Sequence, residues 1–354
     1  MARPLNVSYT KLVEKAETLY DLLRAALPPL GQPYKESALD NMKETTKHEL
    51  GVKPKLEIVA YCPTLFQTLL ELATAKAQTM HTLWERPADF FFAAHATPGV
   101  AASLHPSTIY DEEDVRRYCR YTIINPALLG FHALTKNNLV IPTETVYPYV
   151  ASGTHYEIIP DDTIIVEEGN KGVEGRPHIV GTIEYKAPHV HKIAAFHNIM
   201  IPPDADVGVR AMRFIWPTKP SQVSSTEHIQ TRMIIQAWAQ MCNRSCNYAI
   251  HSCGEYTILF IKNGNTLYMS QKYGRQSQTA LAVFGLLLLA VGNSRDLGEA
   301  AITPEQLDLP NWQAKVAAEK LLWPEEVRKA TAATAVGVYH GYSVFAIASA
   351  AQLT

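Results

Sequence analysis

Hydrophobic positions along the chain follow two different periods. From Lys11-Leu12-Val13 to Leu22-Leu23, Leu and Ala recur at helical spacing until Pro28-Pro29 and Gly31 stop the run. Residues 35–55 are polar and read as a connection. Pro63 to about Trp84 predicts a second helix, with Leu65, Leu69, Leu70, Leu72 and Ala73 as its apolar stripe. Phe90-Phe91-Phe92 followed by Thr97-Pro98-Gly99 reads as a buried turn. Pro106 to Leu134 predicts a further helix, whose acidic first turn, Asp111 to Asp114, suits the positive end of the helix dipole. The period then shortens. Residues 143–151, 158–166 and 179–186 are rich in β-branched and aromatic residues, and Pro148 pushes the first of them towards a sheet edge. Ser224-Ser225-Thr226-Glu227 caps a helix that runs through Met233, Trp238 and Met241. Asn263-Gly264, between the runs 256–261 and 266–270, predicts a β-hairpin. Ala280 to Gly292 is apolar almost throughout and reads as a buried helix.

With 47% hydrophobic residues in 354, the chain can bury a sizeable core. A formal net charge of −2 gives no global basic footprint, so any nucleic-acid surface has to be local. Five cysteines without framework spacing favour a reducing compartment. Met1-Ala2-Arg3-Pro4-Leu5 has no apolar leader core, and the apolar run ending at Gly292 is too short to span a bilayer. The expectation is a soluble intracellular protein, cytoplasmic or nuclear, with no membrane partner. Cys242, Cys246 and Cys253 do not have the spacing of paired zinc ligands, so no metal is expected there. His189, His191 and His197 form a second cluster without a tightly spaced ligand pair. No Walker, GxGxxG, HExxH or GxSxG motif occurs.

The chemistry concentrates between Tyr156 and Lys186. Pro160-Asp161-Asp162 opens one β run, and Ile179 to Lys186 forms the next before Ala187-Pro188 ends it. Alternation along a strand puts Glu184 and Lys186 on one side and Ile183 and Tyr185 on the other. A carboxylate and an ammonium at the end of an apolar strand are costly to bury unpaired. Joined by Asp161, they make a carboxylate-carboxylate-lysine group suited to Mg2+, which takes oxygen ligands and keeps several waters.

Pro160-Asp161, a spacer and Glu184-Tyr185-Lys186 resemble the signature of the PD-(D/E)XK nuclease superfamily. The order helix, strand, Asp strand, Glu-x-Lys strand, helix, hairpin is similar to that family's common core. The resemblance implies an α+β, restriction-endonuclease-like fold, a central mixed sheet flanked by helices. Residues 106–275 would form this core, 1–105 a helical N-terminal extension, and 276–354 a helical region packed on it.

By the same resemblance, Asp161 and Glu184 would hold Mg2+ or Mn2+, and Lys186 would stabilise developing negative charge. A helix before the first core strand often adds an acid. Glu112 or Glu113 matches by position, Glu113 being the one assigned to the metal, while plain dipole-favoured acids remain the competing reading. A glutamine on the helix after the Glu-x-Lys strand corresponds better to Gln236 than to Gln230. The implied activity is phosphodiester hydrolysis in DNA or RNA. The alternative is a catalytically inactive module of the same fold that binds nucleic acid or protein. Backbone contacts would fall to Arg116, Arg117, Lys192, Arg210, Arg213 and Arg232. Oligomeric state is left open.

Overall fold

The computed structural model describes residues 17–34, 46–80, 107–138, 148–152, 158–166, 178–188, 210–223, 229–294, 297–307 and 322–323. Their helices are α1 (Leu19–Leu23), α2 (Lys47–Gly51), α3 (Pro63–Gln78), α4 (Glu112–Cys119), α5 (Asn125–Asn138), α6 (Ile229–Asn243) and α7 (Thr279–Gly292). A π-helical turn, Arg120–Ile124, joins α4 to α5. The strands are β1 (Gln32–Pro33), β2 (Ile58–Tyr61), β3 (Thr108–Ile109), β4 (Pro148–Ser152), β5 (Asp162–Val166), β6 (His178–Tyr185), β7 (Arg210–Phe214), β8 (Tyr248–Ser252), β9 (Tyr256–Asn263), β10 (Thr266–Met269), β11 (Tyr273–Gly274) and β12 (Leu322–Trp323).

The fold is α+β, built on a mixed sheet of order β12-β7-β2-β10-β9-β8-β6-β5-β4, with β11 added against β9. β4, β5 and β6 form an antiparallel meander, and β8 lies parallel to β6. A parallel neighbour requires a crossover, and α6 lies in it. The hairpin expected at Asn263-Gly264 joins β9 to β10, with Gly264 at φ +57, the left-handed region such turns use. Pro148 sits on the edge strand β4, where a missing N–H costs no interior ladder bond.

Alternate side chains of the sheet enter two separate cores. Ile58, Ala60, Ile183, Tyr185, Leu259 and Ile261 face α3, α5 and α7. Val59, Tyr61, Ile258, Phe260, Leu267 and Met269 face α6, where Met233, Trp238 and Met241 are buried. α7 is buried from Thr279 to Val291, which explains an apolar sequence with no polar face. It comes so close to α3 that a Cβ on Gly285 would lie 2.9 Å from the Cβ of Ala73.

Several expectations need adjustment. The N-terminal region contributes β2 to the central sheet, parallel to β10, in addition to helices. The C-terminal region likewise adds β12 beside β7. β7 and β8 were not expected, and β8 is the strand that ties the Glu-x-Lys strand to the hairpin. Helix α4 starts at Glu112, later than expected, because Thr108–Ile109 pairs with Gln32–Pro33 and Asp111 caps the helix. The runs 81–106 and 143–147 and the His189, His191 and His197 cluster lie outside the described residues. Among the described residues, no helix is long and apolar enough to cross a membrane.

Candidate metal centre

The site forms at the carboxyl end of β6, where three separate segments meet. β6 brings Glu184, and Lys186 follows as the strand ends, its own N–H still donating to Ser252 O at 3.0 Å. Asp161 stands just before β5, which runs antiparallel to β6, so the start of one strand meets the end of the other. Glu112 is the first residue of α4. Ligand oxygens of Glu112, Asp161 and Glu184 all lie within 4.8 Å of one another.

Lys186 closes the group. Its Nζ donates to Glu112 Oε1 at 2.8 Å, to Tyr185 O at 2.9 Å and to Glu184 Oε1. Burial works to lower its pKa, but the Glu184, Glu112 and Asp161 carboxylates outweigh burial and raise it, so the ammonium stays charged. Asp161 is raised as well, and for a carboxylate a rise favours the neutral form. Burial, with Glu184 and Glu112 alongside, pushes it up to about 7, against the pull of Lys186 and a bond from Tyr185 N–H at 2.7 Å.

Glu184 is held from α6. Gln236 Nε2 donates to its Oε1 at 2.6 Å, and Gln240 Nε2 to its Oε2 at 2.7 Å. Gln236 therefore meets the site as expected. Gln240, one helical turn later and buried, was missed, although the spacing of four puts it on the same helix face. Glu49 lies on α2, within the run that reads as a connection in the sequence. Burial raises its pKa against bonds from Thr46, and the charge of Glu184 adds to the rise.

The acid supplied by α4 is Glu112, and this corrects the assignment of Glu113. Glu113 pairs with Arg116 at 3.3 Å and Arg117 at 3.4 Å, with its side chain 48% exposed. One residue along a helix is about a 100° turn, enough to send neighbours in different directions.

Asp162 also points away from the site. It is fully buried and accepts from Arg116 Nη2 at 2.5 Å, Arg120 Nε at 2.7 Å, Tyr185 Oη at 3.0 Å and Arg120 Nη2. Tyr185 thus holds both neighbours, Asp161 by its backbone and Asp162 by its phenol.

Among the described side chains expected to touch a nucleic-acid backbone, two are engaged or buried and two are exposed. Arg116 belongs to the Asp162 clamp, Arg117 is exposed beside Glu113, and Arg232 is buried, 5% exposed. Arg213 is exposed, and Lys192 and the side chain of Arg210 lie outside the described residues. Cys246 and Cys253 are buried thiols and Cys242 is half-buried.

The donor set suits a hard divalent cation. No protein-family model, no curated protein and no solved structure matches this chain.

Proposed function

We propose that the protein is a metal-dependent nuclease with a restriction-endonuclease-like core, hydrolysing phosphodiester bonds in DNA or RNA. The observation that carries this reading is the meeting of Glu112, Asp161, Glu184 and Lys186 at one end of the sheet. The order of elements supports it: α4 and α5, the β4-β5-β6 meander, α6, then β8 and the hairpin. Glu112, Asp161 and Glu184 would hold Mg2+ or Mn2+, which when bound supplies charge neutralisation at the phosphate and a more acidic attacking water. Lys186 keeps a fixed positive charge beside the phosphate oxygens, where negative charge grows in the transition state. Gln236 and Gln240 hold the Glu184 carboxylate in place, the role that a group orienting a metal ligand would have.

The test is cleavage of varied DNA and RNA by the purified protein in Mg2+ or Mn2+. Glu184→Ala and Lys186→Ala should each abolish cutting, a loss on the order of 10²–10³ for one electrostatic group. A protein that cuts nothing and binds no divalent ion would overturn the proposal.

A second reading is an inactive module of the same fold. It is favoured by the basic residues, since among the described members of the set only Arg117 and Arg213 are exposed. The absence of both cleavage and any Mg2+ or Mn2+ effect on stability would select it.

A further inference from the structure

We propose that Lys186 is the resident cation of the metal-free site and has to give up its bridge between Glu112 and Glu184 as a divalent ion enters. The inference rests on the metal-site reading above and concerns how that site is loaded. An ammonium has three N–H donors. All three are committed here, to Glu112 Oε1, Glu184 Oε1 and Tyr185 O. Two of the three carboxylates that would bind metal are therefore already occupied by a cation of this chain.

An ion bound to the same oxygens would sit against the ammonium, and two cations in such contact repel strongly in a partly desolvated site. The site therefore exchanges one cation for another. The two arms of the bridge differ in access. The Glu184 side chain is 6% exposed and that of Glu112 is 45% exposed. The Glu112 arm is the one open to solvent, so it breaks first, and the ion enters past Glu112 while Lys186 keeps Tyr185 O. The displaced ammonium then lies beside the ion, free to meet a phosphate oxygen. On this account Lys186 lowers metal affinity and serves the reaction with the same charge.

The experiment is calorimetric titration of the full chain with Mn2+ at pH 8. Lys186→Met should bind Mn2+ at least about tenfold more tightly than wild type, the direction set by removing a like charge from contact. Lys76→Met, which alters a lysine bonded to Glu299 O, should leave binding unchanged. In parallel, 15N-lysine NMR of the wild type should show the Lys186 Nζ signal shifting as Mg2+ is added. If Lys186→Met does not fold, Lys186→Gln removes the charge while keeping a donor, and the wild-type NMR stands without any variant. Equal or weaker Mn2+ binding by the variant, with a wild type that binds, overturns the exchange but leaves the metal site standing. No Mn2+ binding by wild type or variant overturns the metal site and the exchange together.

Discussion

Asp161 and Asp162 are chain neighbours with opposite environments, so their asparagine variants should differ in sign. Asp162 has no exposed surface and accepts four hydrogen bonds, from Arg116, Arg120 and Tyr185. Asparagine keeps the shape, removes the charge and turns an N–H2 towards guanidinium donors. Breaking a buried ion pair from one side costs about 3–5 kcal/mol. The Arg116 and Arg120 side chains retain 20% and 32% exposure, so partial hydration brings the expected cost to about 3 kcal/mol, the lower end of that range.

Asp161 is raised from 3.8 to about 7 by burial and by the neighbouring acids. A carboxylate with a raised folded pKa is tolerated while protonated and penalised once ionised. The penalty is absent below about pH 4, grows through pH 7 and is constant above. Roughly three units at about 1.4 kcal/mol each set a ceiling near 4 kcal/mol. Rearrangement among the neighbouring acids reduces this, so Asp161→Asn should stabilise the metal-free protein by about 1–3 kcal/mol at pH 8 and by less at pH 5. Urea unfolding in EDTA at pH 5, 6, 7 and 8 measures both variants against wild type. Equal costs for the two, or a pH-independent effect of Asp161→Asn, would refute the assignment of one carboxylate to the site and the other to the clamp.

Two further outcomes follow from the packing. Glu112→Gln should weaken Mn2+ binding at least about tenfold in calorimetry, a loss of the size seen when a supporting group of a metal site is removed, whereas Glu113→Gln should leave it unchanged. Gly285→Ala should lower the melting temperature, because the contact with Ala73 and with Leu69 O at 3.3 Å costs about 1–3 kcal/mol, more than the gain of about 1 kcal/mol in helix propensity.

Strand alternation makes Glu184 and Lys186 legible as a pair, whereas Asp161 and Gln236 rest on the resemblance, which sets Asp directly after Pro and a glutamine on the helix after the Glu-x-Lys strand. The choice between Glu112 and Glu113 was not. It depends on where Asp111 starts the helix, and the β1–β3 pairing shifts that start away from Pro106. β2 is four residues long, and its β character comes from parallel pairing with β10, far away in sequence. β8 is five residues long, Tyr248–Ser252, with His251 and Ser252 at its end and Cys246 and Cys253 on either side, so its β-type run is short and its flanks resemble a ligand cluster. Gln240 sits within a buried helix, where one polar residue gives little signal until its partner is known.

The paired aspartates also act as a check on strand register. A one-residue slip of β5 in one direction would bring Asp162 to the metal side and leave Thr163 facing Arg116 and Arg120. A slip the other way would give the two arginines Asp161 and leave Pro160 at the site. The first slip strands two guanidinium charges in a low-dielectric interior and the second takes a carboxylate out of the acidic cluster, so only the native pairing serves both sides of the strand. Two adjacent acids, one facing the acidic cluster and one held by the arginine clamp, thereby tie the register of β5 to both of its faces.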